Sequence, residues 1–106
     1  MAKKKRIDKY VKITYHIRVE LHNVRKVIHK LPKYVVDKLL AWALTVETYG
    51  LEEVRKTPGY HDEPLKGKRR GQRSIRLTKS YRLIYLDRIE NGLRTIEVIE
   101  VNKHDY

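Results

Sequence analysis

The sequence predicts an α+β domain in which two N-terminal helices pack on one face of a twisted, mostly antiparallel sheet, in the order β-α-α-β-β-β. Residues 10–21 alternate apolar and polar side chains, as a half-buried strand does. Residues 23–49 follow a helical period that Pro32 interrupts. Further strand-like segments complete the pattern at 73–78, 81–87 and 94–102.

The first strand and the helices are predicted from where their apolar side chains fall. The strand-like segment places one face toward a core, formed by Val11, Ile13, Tyr15, Ile17, Val19 and Leu21. Asn23 suits the N-cap of a short first helix, and Gly50 suits the end of the second. Trp42 is expected to pack in the core rather than to stack on a ligand. The buried stripe of the second helix is predicted to be Val35, Val36, Leu39, Leu40, Ala43 and Val46.

The C-terminal half is predicted to form strands joined by turns. The segment LEEVRK (51–56) is expected to be a turn, and residues 57–72 form the longest irregular stretch, with three glycines and two prolines. Residues 81–87 are apolar on both faces apart from Arg82 and the final Asp87, which is typical of a central strand. The sequence Asn91-Gly92 predicts a tight hairpin turn. A slip in the alternation between Val98 and Ile99 predicts a bulge.

Length and composition predict one domain over residues 1–106, with residues 1–9 as a flexible basic arm. The chain has no cysteine, which excludes disulfides, thiolate metal sites and a thiol nucleophile. It has no run of 18 apolar residues and no apolar segment typical of a secretory signal. We therefore expect a cytoplasmic protein without a membrane partner, and no metal or other cofactor.

Charge points to a polyanionic partner. Lysine and arginine number 25 against 13 acids, giving a net charge of +12, whereas solubility needs roughly 2–8 for a small domain. Nucleic acid is the first candidate and a membrane surface the second. Six bases fall within eleven residues and are predicted to bind RNA phosphates: Lys66, Lys68, Arg69, Arg70, Arg73 and Arg76.

Four other residues could carry chemistry if the strand order brings them to one cleft. Arg82 lies in a central strand, so it must be paired or face a cleft. Glu63 precedes Pro64 and leads into the basic segment, and the chain ends in His104-Asp105-Tyr106. RNA cleavage without a metal needs a base for the 2′-OH, cations for the phosphorane and an acid for the leaving 5′-oxygen.

The roles of these four residues stay open at this level. Glu63 or His104 can act as the base, Arg82 as the charge stabiliser, and His104 or Tyr106 as the acid. Neighbouring cations should lower the pKa of Glu63 and weaken it as a base. His104 has an ordinary pKa of ~6.5, which is better matched to neutral pH. A local salt bridge from Glu63 to Lys66 is the purely structural alternative.

The segment EPLKGKRRGQRSIRLTKSYRLIY (63–85), with the terminal His and Tyr, resembles toxins of the RelE/ParE superfamily, most closely the YoeB and HigB branches. YoeB-type toxins carry a similar E-P-L-K stretch, a strand ending in an H-R-L-V-Y-like motif and a His-Tyr end. HigB-type toxins share the GQxSIR-like and YRhhY-like pieces. The resemblance covers the whole chain in element order, and only residues 63–85 and the tail match in detail.

The resemblance implies a RelE-like microbial RNase toxin that cuts mRNA in the ribosomal A site, contacting mRNA and ribosomal RNA, and is silenced by a protein antitoxin encoded beside it. It implies Glu63 as general base, Arg82 as transition-state arginine, and His104 and Tyr106 as the terminal catalytic pair. The basic residues from Lys66 to Arg76 would bind RNA or the ribosome, and an acidic antitoxin segment would cover them.

Two alternatives remain beside this implied activity. ParE-type members of the same superfamily inhibit gyrase, and a basic RNA-binding protein without catalysis has the same composition. The joint presence of Glu63, Arg82 and His104 favours the nuclease. The tail departs from the YoeB pattern, because Asp105 separates His104 from Tyr106. One inserted residue reverses the face on which a strand presents its next side chain.

Overall fold

Five strands form one mixed sheet in residues 16–103, the part of the chain that the computed structural model describes. They are β1 (His16–Glu20), β2 (Glu63–Pro64), β3 (Gln72–Arg76), β4 (Tyr81–Glu90) and β5 (Leu93–Lys103). Their order across the sheet is β1-β5-β4-β3-β2. The arm predicted over residues 1–9 lies outside the described residues.

The predicted character of the sheet is confirmed. β1 pairs with β5 in parallel, and the other three neighbouring pairs are antiparallel. β4 lies in the middle of the sheet, as its apolar faces predicted. The turn between β4 and β5 uses Asn91 at φ 51° and Gly92 at φ 79°, the left-handed conformations that an Asn-Gly hairpin turn requires.

The predicted bulge is also present. Ile84 pairs with Glu100 while its neighbour Tyr85 pairs with Val98, so Ile99 has no partner on β4. The extra residue lets Val98 and Val101 both face the core, where each is buried. The bulge therefore explains why the alternation of β5 slips at this point.

The helical segments are α1 (Arg25–Ile28), α2 (Lys33–Tyr49) and α3 (Leu51–Arg55). The predicted N-cap at Asn23 is wrong: a 3₁₀ turn at His22–Val24 precedes α1, and the Asn23 side chain donates a hydrogen bond to Glu97 at 2.7 Å. Residues 51–55 form a helix, although a turn was expected, because Gly50 at φ 90° lets the chain change direction and continue in helix. No helix among the described residues is long and apolar enough to cross a membrane.

One stripe of α2 packs onto the sheet. Val35, Leu39, Trp42 and Val46 are buried at helical spacing, and the Trp42 ring lies 5.5 Å from the ring of Tyr85 on β4. The packing role predicted for Trp42 is confirmed. The predicted burial of Leu40 is wrong, since 49% of it is exposed. It lies about 100° around the helix from Leu39, beyond the stripe that faces the sheet.

β1 forms one edge of the sheet. Ile17 and Val19 pack against the core, as the alternation predicted, whereas Val11, Ile13 and Tyr15 lie outside the described residues. The outward-facing backbone N–H of Val19 donates to Glu47 of α2 at 2.9 Å. A paired edge donor makes β1 less available to a strand from another chain.

Candidate active site

A cleft of about 220 Å³ opens on the sheet face opposite the helices. The strands β2, β3 and β4 and the residue His61 supply its walls, and its lining is His61, Glu63, Ser74, Arg76 and Arg82. Side chains alternate between the two faces of a sheet. Because Leu83 and Tyr85 of β4 pack in the core, Arg82 projects from the opposite face.

Glu63 and Arg82, two of the predicted catalytic residues, lie close together in this cleft. Arg82 Nη2 lies 3.4 Å from Glu63 Oε1, although 19 residues separate them in the chain. Arg82 is 27% exposed and Glu63 is 61% exposed in their side chains. The expectation that Arg82 is paired or faces a cleft is met in both respects. Glu63 pairs with Arg82 in the described structure, rather than making the local salt bridge to Lys66.

Short strand β2 sets the position of Glu63. Glu63 pairs with Ser74 and Pro64 pairs with Arg73, so β2 continues the sheet beyond β3. Proline lacks an N–H and is tolerated at the edge of a sheet. Leu65 restores the ladder by donating its N–H to the carbonyl of Gln72 at 2.9 Å. The extended backbone that precedes proline favours this geometry.

Asp62 anchors the same segment from the other side of the sheet. Its side chain is 1% exposed, and it accepts hydrogen bonds from Tyr85 Oη and from Arg73 Nε, each at 2.6 Å. Burial and the bond to Asp62 raise the pKa of Tyr85 above its ordinary value, so the phenol stays a donor. Because neighbouring residues of a strand face opposite ways, this buried anchor directs Glu63 into the cleft.

The anchor continues into a chain of ion pairs beneath α3. Arg55 of α3 donates to Tyr85 Oη at 3.4 Å and lies 3.7 Å from Asp87. Arg94 donates to both carboxylate oxygens of Asp87, at 2.9 and 2.6 Å, and to Glu52 at 2.9 Å. The bond to Arg94 lowers the pKa of Glu52. These contacts fix α3, β4 and β5 to one another behind the cleft.

The six predicted phosphate-binding bases have different surroundings. Lys66, Lys68 and Arg70 are exposed around the 3₁₀ turn at Gly67–Arg69. Arg69 is ion-paired with Glu100 and also donates to Gln72. Arg73 is held by Asp62 on the helical side of the sheet, and Arg76 lines the cleft. The six predicted residues therefore do not form one cluster. Three are exposed, two are held in ion pairs, and one lines the cleft.

His104 and Tyr106 lie outside the described residues. The last described residue of β5 is Lys103, which pairs with Tyr81, and Asn102 pairs with Arg82. The sequence thus continues into His104 two residues beyond the position opposite Arg82. Their presence in the cleft stays a prediction.

The sequence did not point to two side chains that line the cleft. Ser74 is 1% exposed, and its hydroxyl has no hydrogen-bond partner among the described residues. His61 has a left-handed backbone, φ 47° and ψ 48°, and follows the 3₁₀ turn at Pro58–Tyr60. Only its place two residues before Glu63 could have drawn attention to it, and nothing local marked Ser74.

The described residues contain no cluster of side chains that could bind a metal ion. Within residues 16–103, no three His, Asp or Glu side chains lie close enough together to hold a metal ion. The described residues that line the cleft supply one carboxylate, two guanidinium groups, an imidazole and a hydroxyl. Such a set of side chains is suited to binding a phosphate and to moving protons.

Comparisons with known proteins place the fold. No family model and no curated protein matches the chain. The RelBE2 toxin-antitoxin complex from Mycobacterium tuberculosis is similar at TM-score 0.58 and 23% identity, over 86% of this chain and 99% of that one. A YoeB/ParE toxin from Agrobacterium tumefaciens follows at TM-score 0.55 and 21% identity, over 84% and 98%.

A third similar structure is the DinJ-YafQ toxin-antitoxin complex from E. coli, at TM-score 0.55 and 19% identity, over 86% of this chain and 93% of that one. The chain therefore has the α+β fold of RelE-type toxins, as its sequence predicted. One fold can serve several activities, so function must be argued from the cleft.

Proposed function

We propose that this chain is the toxin of a toxin-antitoxin pair and a metal-independent endoribonuclease that cuts mRNA on the ribosome. The observation that carries the proposal is the cleft in which Glu63, Arg76 and Arg82 meet. Guanidinium groups bind phosphate oxygens and stabilise charge that develops on phosphorus. A carboxylate beside them can accept a proton from the attacking group. The likeness of the fold to the toxins named above supports the proposal.

The proposed reaction is an internal transfer at one phosphodiester. Glu63 accepts the proton of the 2′-OH, and the 2′-oxygen bonds to the adjacent phosphorus. Arg82, with Arg76, stabilises the phosphorane. The P–O5′ bond breaks and the 5′-oxygen takes a proton from His104, with Tyr106 as a second donor. The products are a 2′,3′-cyclic phosphate and a 5′-hydroxyl, so the step consumes no water and uses no cofactor.

The mapped ends of a reporter mRNA test this proposal. Wild type and His104→Ala would be induced in parallel, and new 5′ ends would be located by primer extension. We expect cuts in phase with codons in the wild type and a loss of about 100-fold in the variant, because general acid–base groups contribute roughly 10²–10⁴. Growth arrest with intact mRNA would contradict the nuclease and favour a gyrase-type toxin. Growth without arrest would favour a non-catalytic RNA-binding protein.

The proposal includes a protein antitoxin with an acidic segment. Lys66, Lys68 and Arg70 are exposed in the loop that leads to β3, and opposite charge on a partner would speed and orient its docking. In the same proposal these cations hold RNA phosphates when the antitoxin is absent, in the cytoplasm where ribosomes translate. Antitoxin and RNA would then compete for one surface.

Charge neutralisation tests the antitoxin surface. We expect Lys66→Gln, Lys68→Gln and Arg70→Gln together to weaken co-purification of the protein encoded beside the toxin, most strongly at low salt, where exposed charges are least screened. The matched control removes three exposed cations of the α1 region: Arg25→Gln, Lys26→Gln and Lys30→Gln. Equal recovery of the partner by both triple variants would argue against the assigned surface.

A further inference from the structure

We propose that His61 is the general base of the cleft, and that Glu63 stays ionised to hold Arg82 in place. The inference rests on the proposed nuclease function and reassigns one of its steps. Its first support is position, because His61 lines the same 220 Å³ cleft as Glu63, Arg76 and Arg82. The imidazole thus lies beside the groups that would bind the scissile phosphate.

Proton affinity supports the reassignment. The cleft presents His61 with a carboxylate on β2, Glu63, and with two guanidinium groups, Arg76 on β3 and Arg82 on β4. Glu63 already lies 3.4 Å from Arg82, an arrangement that suits an ionised carboxylate. Ordinary pKa values are ~4.3 for glutamate and ~6.5 for histidine, so a neutral imidazole takes a proton from a hydroxyl more readily.

The backbone around His61 is held in an unusual shape. Its N–H donates to the carbonyl of Pro58 at 3.1 Å, and its φ of 47° is rare for a residue with a side chain. The next residue, Asp62, is locked by its buried bonds to Tyr85 and Arg73. The backbone at His61 is thus held on both sides, which fixes the point from which its side chain leaves the chain.

The floor of the cleft indicates that a polar ligand belongs there. A buried hydroxyl without a partner costs free energy that a bound ligand can recover, and Ser74 Oγ is such a group among the described residues. Because Glu63 pairs with Ser74 across β2 and β3, the hydroxyl lies beside Glu63, in the cleft that His61 also lines. We assign it a hydrogen bond to a non-bridging oxygen of the phosphate or to the attacked ribose.

In the proposed step the proton of the 2′-OH passes to the free ring nitrogen of His61 while the 2′-oxygen bonds to phosphorus. The phosphorane charge is shared by Arg76 and Arg82. The 5′-oxygen leaves with a proton from His104. His61 then gives its proton to solvent and His104 takes one up, so both residues return to their starting states, and the products are those of the proposed nuclease.

The pH dependence of single-turnover cleavage on programmed ribosomes distinguishes the two bases. If His61 is the base, the wild-type rate falls about tenfold for each pH unit on the acid side of its profile. His61→Asn keeps a residue that tolerates the left-handed backbone but cannot titrate. We expect it to lose about 100-fold in rate at pH 7.5 and to lose this acid-side fall.

Three comparisons make the result decisive. His61→Gly also accepts the backbone and should reproduce the loss, which separates the imidazole from strain. His29→Asn, at an exposed histidine after α1, should keep the wild-type profile. His104→Gln should remove the fall on the alkaline side, because that residue is the proposed acid.

A His61→Asn variant that keeps the wild-type acid-side fall, whatever its rate, overturns the inference and returns the base role to Glu63 or His104. If the wild type cuts no mRNA, the proposed nuclease function is itself wrong. That outcome is read from the wild type alone, whereas the role of His61 is read from its variants. Urea unfolding of each variant confirms that the comparison is made between folded proteins.

Discussion

Arg82→Ala is expected to abolish growth arrest and to slow mRNA cleavage by about 100- to 1,000-fold, the loss typical of one donor that stabilises developing charge. Arg82 lies on the central strand with its guanidinium group 3.4 Å from Glu63 and directed into the cleft. Removing it deletes the charge proposed to stabilise the phosphorane and also leaves the carboxylate of Glu63 without this partner. Cleaved ends of a reporter mRNA, counted against time after induction, measure the effect.

The same strand offers a matched control. Arg88 also lies on β4, six residues further on and on the same face by alternation, and its weak pair with Glu97 is 3.5 Å long. Arg88→Ala removes an equal charge outside the cleft and should change the cleavage rate by less than about threefold. Arg82→Lys should be intermediate, because lysine keeps the charge but loses the forked geometry. Full toxicity in Arg82→Ala would remove this residue from the mechanism.

Asp62→Ala is expected to have the largest effect on stability, lowering the free energy of unfolding by about 3 kcal/mol. Its carboxylate is 1% exposed and satisfies both Arg73 and Tyr85. Without it, a largely buried guanidinium group and a buried phenol lose their partner, and unpaired buried polar groups are costly. Equilibrium unfolding in urea measures this change in the free energy of unfolding. The fluorescence of Trp42, whose ring packs against Tyr85, reports the transition.

The control is a surface aspartate. Asp37 pairs with Lys33 on α2 at 2.9 Å, with 59% of the Asp37 side chain exposed, so Asp37→Ala should cost less than about 0.5 kcal/mol. Tyr85→Phe should fall between the two, at about 1–2 kcal/mol, because it leaves Asp62 with its bond to Arg73. If Asp62→Ala were as stable as Asp37→Ala, the buried contacts of Asp62 would not be what holds the segment before β2 in place.

The Asp62 variant also links stability to the chemistry. Asp62 and Glu63 are neighbours in sequence but face opposite sides of the sheet, one into the buried network and the other into the cleft. Loss of the anchor should therefore slow cleavage even under conditions where the protein is fully folded. The cleft depends on a small strand of two residues, and such a strand has little stability without tertiary contacts.

Much of the fold was determined by local pattern. The alternation of residues 16–20, the glycine after Tyr49 and the Asn91-Gly92 pair each specified an element or its end from a few neighbouring residues. The predicted bulge followed from one break in phase, since side chains three residues apart, such as Val98 and Val101, cannot share a face of a regular strand. The helical pattern alone did not separate Leu39 from Leu40, and both were predicted to be buried. Leu39 is buried and Leu40 is exposed because only the side of α2 that faces the sheet is covered.

The sequence by itself determined the α+β class, the central strand and the charged residues available for chemistry. It marked Arg82 because a cation in an apolar strand requires a partner. Tertiary structure decided that Glu63 is the partner, that Arg73 is held by Asp62 on the opposite face, and that His61 and Ser74 complete the cleft. These contacts join residues that are up to 19 positions apart. They depend on the register in which β2, β3 and β4 pair. The spacing of residues along the chain does not specify this register, because it is set by how the whole sheet packs.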